Sequence, residues 1–166
     1  QGLLGCPELE SYMEIPLDAI AALNDLLGGV TVTLQDDFTM ADPAMQAGAT
    51  ITLTGEQAVT LVRRRTDVAD GTNEARMKRQ RIFMDAAVPM IREKIDESSG
   101  FVTTMLDTLA PYLTTNMVRG RMINEINRAY HYKVEPVQYL DGDHVIGEDG
   151  FMAVSYTHLR AHETRR

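Results

Sequence analysis

The feature that most restricts the fold of this sequence is a long amphipathic helix that turns cationic in its first two turns. Asn73 is the predicted N-cap, and the helix is expected to end near Asp96. Its apolar side chains recur at helical spacing, at Ile82, Phe83, Ala86, Ala87, Met90, Ile91 and Ile95. Followed backward by threes and fours, the same face carries Arg76, Arg79 and Gln80. Because a charged side chain on a core-facing stripe is costly unless it is paired, we expect these three residues to line a cleft.

A second group of arginines stands just before this helix. Thr54 and Gln57 have the spacing of a capping box, in which the Thr54 hydroxyl accepts from the Gln57 amide and the Gln57 side chain bonds back to the Thr54 backbone. This pattern predicts a helix that runs to about Arg63. Arg63 and Arg65 then fall where that helix ends.

Cationic side chains are concentrated between residues 61 and 81. This stretch holds seven of the sixteen Lys and Arg residues, in a chain whose formal net charge is -8. A basic run of this kind is most often a solvated face. The second interpretation is an anion site, in which arginine forks and the free amides of a helix N-terminus bind phosphate oxygens. The loop acids Asp67 and Asp70 would then orient arginines. The residues alone leave both interpretations open.

Several motifs in a fixed order resemble the LytR-CpsA-Psr family. The matching residues are Leu53, Gly55, Glu56, Gln57 and Ala58, then Val62, Arg63 and Arg65, then Arg76, Arg79 and Gln80. An upstream segment, Asn24-Asp25-Leu26-Leu27-Gly28-Gly29-Val30, is similar to the family's Asp-x-Leu-Gly-Gly-Val segment. The resemblance covers about residues 12–95. Many members of the family have Asp where this sequence has Asn73, so no acid role is carried over to that position.

The resemblance implies a fold, an activity and a set of site residues. The fold would be α/β, an α-β-α sandwich with a central mixed sheet, truncated at the N-terminus. The activity would be an extracytoplasmic phosphotransferase that moves an anionic glycopolymer from a polyprenyl-pyrophosphate carrier onto peptidoglycan, with Mg²⁺ as cofactor. Arg63 and Arg65 would be catalytic, and Arg76, Arg79 and Gln80 would bind substrate. A non-catalytic module that binds a polyanion or a lipid phosphate is the alternative, and composition does not separate the two.

The family pattern also includes segments that we expect to precede Gln1. An Asp-bearing strand and an Arg-Asp pair would supply the Mg²⁺ ligands, so metal ligands stay unassigned in this chain. A membrane anchor would hold the protein at the extracytoplasmic face of the membrane. We therefore expect the chain to be inactive by itself.

The composition of the chain restricts its partners. The sequence has no run of about twenty apolar residues. Its net negative charge argues against nucleic acid as a partner, because binding to nucleic acid depends on neutralising phosphate charges.

The rest of the sequence predicts further strands and helices around these motifs. Strands are expected at residues 12–15, 30–34, 49–53 and 134–140, and helices at 16–27, 101–112 and 117–130. Asp36, Asp37 and Asp42 are expected in a solvated turn. Residues 1–153 are interpreted as a partial domain of the family. Residues 154–166 are excluded, because residues 155–164 resemble a peptide translated from sequencing-adapter DNA.

Overall fold

A computed structural model describes residues 11–68, 71–132, 143–146 and 152–155. The helices are α1 (Ala19–Leu27), α2 (Gly55–Arg63), α3 (Asn73–Glu97), α4 (Phe101–Leu109), continued by a 3-10 turn at Ala110–Tyr112, and α5 (Arg119–Ala129). The strands are β1 (Met13–Glu14), β2 (Thr31–Thr33), β3 (Thr50–Thr52), β4 (Thr114–Thr115), β5 (Asp143–Ile146) and β6 (Met152–Ser155). The chain divides into two compact units, Gln1–His131 and Tyr132–Arg166. The predicted strand at 134–140 and most of the excluded tail lie outside the described residues.

The described strands pair two by two. In the first unit β1 pairs with β4 and β2 with β3, and in the second unit β5 pairs with β6, always antiparallel. The expected α/β class is confirmed by this mixture of helices and strands. Within the described residues, the expected mixed sheet is represented only by these antiparallel pairs, whose strands are two to four residues long.

A buried asparagine joins α1 to the β2–β3 pair. Gly28 and Gly29 end the helix with positive φ angles of 85° and 95°, a conformation that glycine adopts without steric cost. Asn24 is fully buried. Its Oδ1 accepts from the backbone amide of Val30 at 3.0 Å, and its Nδ2 donates to the carbonyl of Leu53 at 2.8 Å. This side chain therefore fixes the end of β3, from which α2 begins.

The two helices that carry the arginines begin as their capping residues dictate. The predicted capping box is confirmed: Thr54 Oγ1 accepts from the Gln57 amide, and Gln57 Oε1 accepts from the Thr54 amide. The predicted N-cap of α3 is wrong by one residue. Thr72 holds the extended cap conformation and accepts from the Ala75 amide at 3.1 Å, so Asn73 is the first helical residue. Its side chain is thereby released from capping.

The apolar stripe of α3 packs into the core of the first unit. Phe83 and Ala87 are fully buried, and α3 contacts α1, α2 and α4 along this face. One helical turn before Phe83, the stripe continues with Arg79, which is only 2% exposed. Arg79 was expected to line a cleft, and this expectation is wrong. The side chain is buried, where it contacts the carboxylate of Asp36 and the backbone carbonyl of Arg64. None of the helices in the part of the chain that the structure describes has the length and hydropathy of a membrane-spanning segment.

Candidate anion-binding site

Two arginines from different elements converge on one side-chain oxygen. Arg65 lies in the extended segment after α2, and Arg76 lies in the first turn of α3. Arg65 Nη2 donates to Asn73 Oδ1 at 3.0 Å, and Arg76 Nη2 donates to the same oxygen at 2.6 Å. Arg65 is exposed and Arg76 is half-buried, so both guanidinium groups border the solvent. The fold therefore brings Arg65 and Arg76 together from the two groups of arginines, and the neutral side chain of Asn73 lies between them.

The electrostatic environment of this pair is unfavourable without a ligand. Burial lowers the pKa of Arg76, and the neighbouring charges of Arg65 and Arg79 lower it further. The Nε of Arg76 is buried and makes no hydrogen bond within the part of the chain that the structure describes. A buried donor without an acceptor costs about 1–3 kcal/mol. An anion bound beside Arg65 and Arg76 would offset the repulsion between their positive charges.

Arg79 is held by the protein itself. Its Nη1 forms an ion pair with Asp36 Oδ2 at 2.9 Å, and its Nη2 donates to the backbone carbonyl of Arg64 at 2.8 Å. The guanidinium also lies 5.8 Å from the centre of the Phe38 ring, within the range of a cation–π interaction. These contacts tie α3 to the loop after β2 and to the end of α2. Arg79 is thus placed where it can position Arg65 and Arg76.

The remaining predicted site residues are divided between this cluster and another surface. Gln80 Nε2 donates to the carbonyl of Val62 at 3.1 Å, which joins the last turn of α2 to α3 beside the arginine cluster. Arg63 instead forms an exposed ion pair with Asp18 at 2.7 Å, at the start of α1. Within the described residues, no hydrogen bond or ion pair joins Arg63 to Arg65, and the five residues therefore do not form one cluster.

Two acids that support the site have other roles than the sequence predicts. Asp36, expected in a solvated turn, is the half-buried partner of Arg79. Asp42, in the same loop, accepts from Gln57 Nε2 at 2.6 Å, which ties the loop to the start of α2. The signal in the sequence is Phe38, since a large apolar residue within a polar loop shows where that loop returns to the core.

The loop between the two groups of arginines contacts an arginine outside the cluster. Asp67 makes a single contact with Arg64 at 3.3 Å, and Asp70 lies outside the described residues, so the orientation of the site arginines by these two acids stays a prediction. No group of three or more His, Cys, Asp or Glu side chains that could hold a metal ion occurs among the described residues. These residues therefore do not fit a Mg²⁺ site by themselves, and none of the roles assigned to them depends on the ion.

The fold and the arginine cluster define the class of protein as an α/β domain with a cationic helix junction. A sequence model described as the LytR_cpsA_psr family matches residues 4–165, and the chain belongs to that family. The matched range includes most of residues 154–166, whose origin from adapter DNA stays a prediction. No curated protein sequence matches the chain.

Solved structures share the fold. The Lin1025 protein from Listeria innocua is 23% identical, with a TM-score of 0.62 over 96% of this chain and 66% of that chain. Protein gbs0355 from Streptococcus agalactiae is 23% identical, with a TM-score of 0.68 over 95% and 56%. TagT bound to LI-WTA is 21% identical, with a TM-score of 0.67 over 98% and 60%. The chain thus spans somewhat less than two thirds of each of these proteins.

Proposed function

We propose that the whole protein is a phosphotransferase that moves an anionic glycopolymer from a polyprenyl-pyrophosphate carrier onto peptidoglycan, at the extracytoplasmic face of the membrane. Membership of the LytR-CpsA-Psr family and the shared fold with TagT support this class of reaction. The observation that carries the proposal is the convergence of Arg65 and Arg76 on Asn73 Oδ1, which brings two guanidinium groups together beside the N-terminus of α3.

The proposed reaction develops negative charge on the carrier phosphate. A hydroxyl group of peptidoglycan attacks the glycopolymer phosphate and loses its proton to the solvent, the bond from that phosphate to the bridging oxygen breaks, and the carrier monophosphate leaves with the electron pair. Guanidinium groups that are already in place stabilise this charge without reorganising at the moment of reaction. Arg65 and Arg76 would bind the diphosphate through the Nη–H groups of their guanidinium forks.

Arg63 is proposed to act on the substrate from the edge of the site. Its present partner Asp18 is exposed, and exposed ion pairs contribute only about 0–1 kcal/mol. Exchanging this carboxylate for a substrate phosphate therefore costs little. Arg79 and Gln80 are proposed to serve the substrate indirectly, by fixing the α2–α3 junction that presents Arg65 and Arg76.

The experiment compares Arg65→Ala and Arg76→Ala in the whole protein, with polymer transfer and affinity for the lipid diphosphate measured side by side. We expect transfer to fall by about a hundredfold or more, the usual effect of removing one donor that stabilises transition-state charge. Arg128→Ala is the matched control, because Arg128 is an exposed arginine of α5 whose partner is Glu125.

Each outcome assigns a function. Loss of transfer with affinity largely kept supports catalysis by the pair. An equal loss of affinity, in a protein whose wild type shows no transfer, supports the non-catalytic binding module. Unchanged transfer and unchanged affinity in both variants would remove the arginine pair from the site.

A further inference from the structure

We propose that Gly71 is a positioning residue for the anion site, because the lack of a side chain at this position lets the loop before α3 close against the backbone of Arg65. That close contact sets where the guanidinium of Arg65 lies relative to that of Arg76. The inference rests on the proposed diphosphate site, and it adds to that site a residue that lies outside the motifs shared with the family.

The contact between this loop and Arg65 leaves no room for a methyl group. A Cβ atom on Gly71 would overlap the backbone carbonyl oxygen of Arg65, well inside the 3.0 Å below which real Cβ atoms essentially never approach another heavy atom. The obstacle is a backbone atom, so rotating a side chain does not remove it. Any larger residue at this position must therefore shift the Arg65 backbone, the loop, or both.

The backbone around Arg65 is held from both directions. The carbonyl of Arg64, one residue earlier, accepts from Arg79 Nη2 at 2.8 Å. Two residues after Arg65, the chain turns at Asp67, whose φ of 58° is uncommon for a residue other than glycine. Because Arg79 ties the preceding carbonyl to α3, the segment cannot move away from Gly71 without stretching that hydrogen bond.

The same segment carries the guanidinium that reaches the site. The carbonyl of Arg65 lies against Gly71, and its Nη2 donates at 3.0 Å to Asn73 Oδ1, two residues after Gly71. Arg76 Nη2 donates to the same oxygen at 2.6 Å. A shift of the Arg65 backbone by about 1 Å, passed on to its side chain, would take the first of these distances outside the range of a hydrogen bond. Gly71 therefore controls whether the two guanidinium groups meet.

The test compares Gly71→Ala with wild type in this chain, by calorimetric titration with inorganic diphosphate. We expect the variant to bind diphosphate more weakly on the order of tenfold, the fold-change that corresponds to losing one hydrogen bond to a charged group. Gly120→Ala is the matched control, since Gly120 is an exposed glycine of α5 at which a Cβ atom would meet nothing within 4 Å. The control should change the affinity by less than about twofold. Urea unfolding should show that both variants are folded under the conditions of the titration.

A double-variant cycle separates positioning from a general loosening of the structure. If Gly71 acts through Arg65, Gly71→Ala should weaken binding by less than about twofold once Arg65→Ala has already removed the guanidinium. A residue that only stabilises the fold would weaken binding by the same factor in both backgrounds. Equal factors in the two backgrounds, or wild-type affinity in Gly71→Ala, would overturn the inference.

A measurement without ligand keeps this inference separate from the proposed function. In the ligand-free chain, Gly71→Ala should shift the ¹H–¹⁵N NMR signals of the Arg65 Nε–H and of the Asn73 side-chain amide, and Gly120→Ala should leave both in place. If these signals shift and wild type binds no diphosphate, Gly71 still positions Arg65 and the proposed diphosphate site fails. If neither signal shifts, Gly71 does not position Arg65 and the inference is wrong.

Discussion

The ion pair between Asp36 and Arg79 gives the sharpest prediction about stability. Arg79 is 2% exposed and the Asp36 side chain is 21% exposed, so this pair is partly shielded from water. Asp36→Asn keeps an acceptor near Arg79 Nη1 and removes the charge. A hydrogen bond between charged groups contributes about 1.5–3 kcal/mol, and removing one member of a fully buried pair costs about 3–5 kcal/mol. Because Asp36 retains some contact with solvent, we expect a loss of about 2 kcal/mol.

The measurement is urea unfolding of the chain, with the free energy of unfolding compared at equal slopes. Asp37→Asn is the matched control, since Asp37 is the adjacent exposed acid and, within the described residues, its side chain bonds to the backbone and hydroxyl of Thr39 alone. The control should lose clearly less stability than Asp36→Asn. Equal losses for the two variants, within about 0.5 kcal/mol, would refute the inference that Asp36 compensates a buried charge.

Three further predictions follow from single side chains. Asn24→Ala leaves two backbone groups without their buried partner, and thermal unfolding should show a loss of about 3 kcal/mol. Arg63→Ala removes an exposed ion pair, so stability should change by less than about 1 kcal/mol, while transfer by the whole protein should fall. Hydrogen bonds from the Ala44 amide and the Gln57 side chain lower the pKa of Asp42 below 3.8. This contribution to stability is present above that pH and is lost as the pH falls through the lowered value, so Asp42→Asn should flatten the acid dependence of unfolding.

Short-range patterns in the sequence predict where α2 and α3 begin to within one residue. The capping box at Thr54 and Gln57 predicts the correct beginning of α2, because both partners lie within four residues of each other. The N-cap of α3 is displaced by one residue because Thr72 and Asn73 are both capping types, and only the backbone conformation decides between them. That one-residue difference matters, since it leaves Asn73 to bridge the arginines.

Long-range partners are not visible in the sequence. Asp36 lies 43 residues before Arg79, and nothing in the spacing of a polar loop shows that its acid returns to a helix so far along the chain. Arg63 and Arg65 also separate for a reason that only the fold supplies. Arg63 is still helical and faces α1, whereas Arg64 is already extended and carries Arg65 toward α3. The motif places Arg63 and Arg65 two residues apart in the sequence. Because α2 ends between them, Arg65 reaches α3 and Arg63 does not.

The most direct test of the site is to observe the arginine Nε–H signals by ¹H–¹⁵N NMR while inorganic diphosphate is added to the chain. If Arg65 and Arg76 form the anion site, their signals should shift together, saturate at one ligand per chain and move further than the signal of any other arginine. The signal of Arg128 should stay in place. Shifts confined to other arginines, or equal small shifts at every exposed arginine, would contradict the account.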